Sequence, residues 1–141
     1  MGIKYYENER VFKLDTPKST YMIGIVDDDN YVGHIYYGRT IIDTDMRYLM
    51  RIYEAPFVPS KNNRDLVTFR DCAPMEYSTH GIGDFRESSL SVKTKAGHSA
   101  CSLSYVSHTI YKGKPVLEGL PATFGNESEC TTLELVCEDK T

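Results

Sequence analysis

Ser107-His108-Thr109-Ile110-Tyr111-Lys112-Gly113-Lys114-Pro115-Val116-Leu117-Glu118-Gly119-Leu120-Pro121-Ala122-Thr123-Phe124 reads as a strand that runs into two successive turns, and the rest of the 141-residue chain has to fit around it. Ile110 and Tyr111 favour extended backbone, and the period of two puts His108 and Ile110 on one face, Thr109 and Tyr111 on the other. Gly113 is free to take positive φ and stands two residues before Pro115, whose ring fixes φ and removes a backbone donor. Strand pairing therefore stops at this turn, and a second break follows at Gly119-Leu120-Pro121. The stretch carries no helical periodicity, so it sets an all-β expectation rather than a catalytic motif.

Outward from it the same reading repeats. Residues 131–138 place Leu133, Leu135 and Cys137 on one face and Thr132, Glu134 and Val136 on the other. On the N-terminal side, Ser89 to Thr94, a turn at Lys95-Ala96-Gly97-His98, and Ser99 to His108 predict a hairpin that pairs Leu90 and Val92 with Cys101, Leu103 and Tyr105. Earlier still, Ile3 to Tyr6 and Val11 to Thr16 flank a polar turn at residues 7–10, with Phe12 and Leu14 sharing a face. Thr20 to Val26 and Tyr31 to Tyr37 flank the acidic turn Asp27-Asp28-Asp29-Asn30. That turn lacks the alternating ligands, the bend glycine and the distal Glu of a calcium loop, so it reads as solvated.

One helical signal interrupts the strands: Met46, Leu49, Met50 and Tyr53 recur at i, i+3, i+4 and i+7 behind Asp43-Thr44-Asp45, predicting a short helix over residues 45–53. Pro56 and Pro59 end it, leaving residues 54–66 as a long loop of the kind that often carries function. Weak strands follow at residues 66–70 and 75–77, and Gly81-Ile82-Gly83 reads as a turn because it lacks the third glycine and the βαβ setting of a nucleotide loop. Strands that recur roughly every 8–12 residues, with many turn residues and one short helix, argue for an antiparallel β-sandwich.

Four stretches, Met1-Gly2-Ile3 with Phe12 and Leu14, Gly33-His34-Ile35-Tyr36-Tyr37-Gly38, Gly83-Asp84-Phe85-Arg86-Glu87, and residues 107–124, together resemble the N-terminal domain of bacterial α-galactosidases of glycoside hydrolase family 36. The order and spacing are similar from the first residue to the last. The resemblance implies a non-catalytic segment of a large β-supersandwich that packs on a catalytic (β/α) barrel lying beyond Thr141, so that the chain ends inside the sandwich and both catalytic Asp residues lie outside it. It also implies a parent enzyme that hydrolyses terminal α-galactosides such as melibiose and raffinose with retention, assembled as a homo-oligomer in which this domain lends a loop to a neighbour's active-site mouth. On that loop, Glu54 and Arg64 correspond to positions that face the galactose pocket, and carboxylate and guanidinium groups suit the directional bonding of sugar hydroxyls. Glu54 stands where other members carry Asp, and a surface salt bridge is the alternative role for the pair.

Composition narrows the field from another side. A net charge of −4 with both signs interspersed offers no basic face to nucleic acid and no polybasic segment to a membrane. No apolar run reaches the ~20 residues of a membrane span, and no signal pattern opens the chain, so a cytoplasmic protein is expected. Cys72, Cys101, Cys130 and Cys137 have no zinc or redox spacing and read as reduced structural thiols. No cofactor or metal site is expected. Asp43 with Asp45, and Asp27 with Asp29, read as solvated turn or cap residues rather than the spaced acid pair of a glycosidase. His34 reads as a packed, hydrogen-bonded side chain with no carboxylate beside it, and Asp84 with Arg86 as a pair bracing the turn after Gly83, with Phe85 packed behind. A free-standing carbohydrate-binding or structural module is the alternative to the enzyme domain: the chain has no Trp to stack on sugars, but it has eleven Tyr.

Overall fold

The computed structural model describes residues 2–26, 28–50, 74–81, 84–121, 125–126 and 128–141, together with the backbone of 53–54 and 67–68. Its elements in chain order are β1 (Gly2–Tyr6), β2 (Val11–Asp15), β3 (Ser19–Val26), β4 (Tyr31–Arg39), β5 (Tyr53–Glu54), β6 (Val67–Thr68), β7 (Leu103–Lys112) and β8 (Thr131–Asp139). The first four strands form an antiparallel meander in sequence order, β5 pairs with β6, and β7 pairs with β8. Three tight turns connect the meander, and the first and third each use a non-glycine residue at positive φ, Arg10 at 55° and Asn30 at 59°. The Arg10 guanidinium hydrogen-bonds the Asn30 side chain, and the Ile25 amide donates to the Arg10 carbonyl at 2.9 Å, so the two turns lock together at one end of the sheet.

The period of two then sorts the side chains. Phe12, Ile23, Ile25 and Val32 form a buried cluster on one face of the meander, and Tyr105, Leu133, Leu135 and Cys137 of the β7–β8 ribbon pack against it. Phe12 is fully buried, stacked on Tyr5 with ring centroids 4.4 Å apart and met edge-on by His108 at 4.8 Å. This is the antiparallel β-sandwich expected, and the predicted inward face of residues 131–138 is the one that packs. The opposite face of the meander carries Val11, Met22 and Ile35, over which the chain after β4 lays Ile41, Met46 and Met50. Gly24 is the close-approach point: a Cβ there would fall 2.5 Å from Met50 Sδ, so only glycine leaves the thioether its place.

Three expectations are corrected. Residues 51–52 lie outside the described residues, and of the short helix expected over residues 45–53 the described residues through Met50 form only a single 3-10 turn at Arg47–Leu49. No side chain caps it, Asp45 accepts from the Arg47 amide and guanidinium instead, and the methionines that set the helical pattern face the sheet from a strap that passes over it. The hairpin between residues 89–94 and 99–108 does not form; β7 takes β8 as its partner, from Leu103↔Asp139 to Lys112↔Thr131 with a bulge at Val106. Thr94 and Gly97 do make the predicted turn, with Gly97 at φ 92°, yet Leu90 contributes only one parallel bridge to Thr79. Val136, Leu135 and their neighbours offer β7 nine paired positions, against which a local partner with little burial cannot compete. Phe85, expected to pack, is 97% exposed.

At the stretch quoted first, β7 ends at Lys112 and Gly113 turns at φ 92°, its amide donating to the Cys130 carbonyl at 3.0 Å and its carbonyl accepting from Thr132 Oγ1 at 2.6 Å. The turn that halts pairing on one side is thus stitched to the start of β8. Gly119 makes the second positive-φ turn, at 76°.

Candidate functional site

Glu54 is the last residue of β5, its Cα paired with Val67 of β6, so the ladder Tyr53↔Thr68 and Glu54↔Val67 gathers the two ends of the expected sugar-facing loop. Arg64 and the rest of residues 55–66 lie outside the described residues. What the structure does show is how the chain from Ile41 to Met50 is held.

Lys13 sits mid-strand in β2 on the face opposite Phe12 and Leu14, and its side chain is only 3% exposed. Its ammonium has three donors, and three acceptors meet them: the Ile41 carbonyl at 2.9 Å, Asp43 Oδ1 at 2.8 Å and Asp15 Oδ2 at 3.0 Å. Thr20, fully buried, donates to Asp15 Oδ1 at 2.5 Å and accepts from the Ile41 amide at 3.2 Å. Both backbone polar groups of Ile41 are therefore tied to the β2–β3 face. Lys4 reaches Asp43 from β1 as well. Lys13 and Lys4 hold the Asp43 carboxyl far below the ordinary carboxylate range. Burial works to raise Asp15, but Thr20 and Lys13 outweigh it and its carboxyl also lies below its ordinary value. Burial likewise opposes the Lys13 charge, and the two carboxylates overcome it, so the ammonium pKa is raised.

Asp43 is solvated, as the sequence reading expects, and is also an anchor, its exposed carboxylate pairing with Lys13, while Asp45 accepts from the Arg47 amide beside the 3-10 turn. No local pattern could have found Lys13, because Asp43 lies thirty positions away and the strand rule would place a lysine outward.

A second polar contact sits at an edge of the sandwich. His34 donates through Nδ1 to Glu76 Oε1 at 2.7 Å, so a carboxylate does stand beside it, brought by the chain crossing β4 at the Gly33↔Met75 bridge. Glu76, Tyr21 and Tyr77 line one side of a groove of about 430 Å³ whose other wall is Leu103, Leu133, Leu135 and Cys137. Burial, reinforced by Glu76, pushes the Tyr21 phenol well up. The expected Asp84–Arg86 pair is present: Asp84 is buried and Arg86 Nε donates to its Oδ1 at 2.9 Å from a half-buried side chain. Among the described residues no group of three or more His, Cys, Asp or Glu is placed to hold a metal ion, and no helix is long and apolar enough to cross a membrane.

These features define a β-sandwich domain braced by polar ties on its outer face. Residues 30–141 match the model of the glycosyl hydrolase family 36 N-terminal domain, and the chain belongs to that family. It is 34% identical to the bifunctional α-galactosidase/sucrose kinase AgaSK of Mediterraneibacter gnavus, over 99% of this chain and 15% of that one. To the α-galactosidase AgaA of Geobacillus stearothermophilus it is 32% identical, over 99% of this chain and 19% of that one. Among solved structures, the galactosidase domain of AgaSK superposes with a TM-score of 0.88 at 33% identity, covering 99% of this chain and 19% of that one. The family 36 α-galactosidase AgaB from Geobacillus stearothermophilus gives 0.83 at 35% identity, with the same coverage. The chain therefore spans less than a fifth of the length of these relatives.

Proposed function

We propose that this chain serves as the non-catalytic N-terminal domain of an α-galactosidase, whose barrel, outside these 141 residues, hydrolyses terminal α-galactosides such as melibiose and raffinose with retention. The observation that carries the reading is the end-to-end superposition on the galactosidase domain of AgaSK, 99% of the chain at a TM-score of 0.88. In this role the sandwich supports the barrel and an oligomer interface, and the loop after β5 completes the active-site mouth with Glu54 and Arg64 as hydrogen-bonding partners of galactose. The β5–β6 ladder supports that assignment because it holds both ends of the loop at one point. Cys101, Cys130 and Cys137 are free thiols, which fits a reducing, cytoplasmic setting.

Replacing Glu54 and Arg64 by alanine in the full-length enzyme tests the loop assignment. Each substitution is expected to raise KM for melibiose by about tenfold, the loss of one charge-assisted hydrogen bond. Unchanged KM in both would remove the loop from the sugar site.

A further inference from the structure

The excursion that joins β7 to β8 is held at its base and apolar at its tip. At the base, Gly113 is bonded to Cys130 and Thr132 at the start of β8, and the Glu129 and Cys130 amides both donate to the Asn126 carbonyl, at 3.0 and 3.1 Å. At the tip, the Leu120 amide donates to the Leu117 carbonyl at 3.4 Å, and Gly119, third in this turn, takes the positive φ that glycine permits. Such a turn brings its end residues, Leu117 and Leu120, within about 7 Å of each other. Pro115 and Pro121 bracket it with rings that fix φ. The sandwich leaves the apolar side chains of this turn in solvent: Val116 is 96% exposed, Leu120 62% and Leu117 58%. Apolar residues exposed singly are ordinary, but three within five positions on one ordered turn make a patch of roughly 300–400 Å², the size at which an apolar surface is commonly a contact site.

We propose that Val116, Leu117 and Leu120 form the docking tip by which this domain seats on the catalytic barrel of the same parent chain. The inference rests on the assignment of the chain to a longer α-galactosidase made above. The size of the patch favours that occupant over a second copy of this chain, because it is about half of the ~800 Å² per partner that a stable interface between separate chains buries. A domain joined covalently needs less contact, since the tether supplies an effective concentration of the order of millimolar. The matched relatives carry more than four-fifths of their length outside the region that this chain covers, so such a domain has ample chain to come from. Glu118 stands between the two leucines, and the socket that fits the tip is therefore apolar with a hydrogen-bond donor at its rim. The prolines order the tip before it docks, which lowers the entropy lost on docking.

The test is hydroxyl-radical footprinting of the full-length protein, with turnover of an aryl α-galactoside measured on the same sample. Val116, Leu117 and Leu120 should be oxidised about fivefold more slowly than solvent-exposed valine and leucine, because a docked apolar tip excludes water. The double variant Leu117→Ser, Leu120→Ser should lower the unfolding temperature of the full-length protein by about 3 °C or more, with its oligomeric state by light scattering unchanged. Leu120→Ala is the milder change, expected to act in the same direction, should the double variant fail to fold. A tip oxidised as fast as exposed leucine, or an unfolding temperature that neither variant moves, would overturn the proposal. Variants that break the protein into smaller species would also overturn it, assigning the tip to a second copy. If the full-length protein turns over the galactoside and the tip is unprotected, the proposal alone fails. If there is no turnover, the enzyme assignment fails and takes the proposal with it.

Discussion

Lys13 and Asp43 meet at 2.8 Å across thirty positions of sequence, and this contact is what fastens the strap between β4 and β5 to the outer face of the sheet. A lysine that is 3% exposed keeps its charge there only because two carboxylates and a carbonyl take all three of its donors.

Lys13→Ala should therefore cost more than the packing it removes, since Asp15 and the Ile41 carbonyl would be left in the sheet without their partner. We expect a loss of about 3 kcal/mol, the lower end for breaking a buried pair, because Asp43 keeps contact with water. Lys13→Met, which fills the space, should lose less. Denaturant unfolding of the two variants side by side measures the difference, and equal losses would mean that only packing matters at this position.

The acid side of the stability profile follows from the same groups. Asp15, Asp43 and Asp45 all titrate below their ordinary value in the folded state, Asp45 at about 2 through its bonds to Arg47. A carboxyl whose folded pKa is depressed contributes stability that is complete above the unfolded value near ~4 and is lost as pH falls through the folded value. Unfolding temperature should accordingly be flat from neutral pH to about pH 5 and fall steeply between about pH 4 and pH 2. Asp43→Asn should make that fall shallower; an unchanged slope would remove Asp43 from the ledger of acid-sensitive groups.

Gly24→Ala tests the other anchor. The added methyl would lie 2.5 Å from Met50 Sδ and 3.0 Å from Ile35 Cδ1, so the thioether must move. Because a methionine side chain can swing aside, the cost should be about 1 kcal/mol, at the low end for overpacking. Combined with Met50→Ala the same methyl should be nearly neutral, and additive losses in the double variant would rule out this contact as the cause.

Phe12→Ala addresses the sandwich core, where the ring is fully buried between Tyr5 and His108. The expected loss is about 3–5 kcal/mol, enough to leave a marginal domain unfolded at room temperature. Thermal melts followed by far-ultraviolet circular dichroism report it directly.

Strand periodicity made the meander and the inward face of β8 legible, because Phe12, Leu14, Leu133, Leu135 and Cys137 alternate as a half-buried sheet requires. The turns were legible for the same local reason, Gly113 and Gly119 taking the positive φ that glycine permits. Partner choice was not: β7 finds β8 across an excursion of eighteen residues between Lys112 and Thr131, and nothing in either strand announces a non-local ladder. The methionine pattern at residues 46–53 misled because i, i+3, i+4 spacing also serves a strap that crosses a sheet and dips into it at intervals. The ties along residues 41–50 were not legible, since Lys13, Asp43, Thr20 and Ile41 become neighbours only in the folded sheet.

The central claim is that this chain supports an α-galactosidase without carrying its chemistry. Turnover of an aryl α-galactoside by the full-length protein and by the isolated 141 residues, the latter shown to be folded by its circular dichroism, tests it most directly. The account predicts steady hydrolysis by the full-length protein and none by the isolated chain. Saturable hydrolysis by the isolated chain would contradict it.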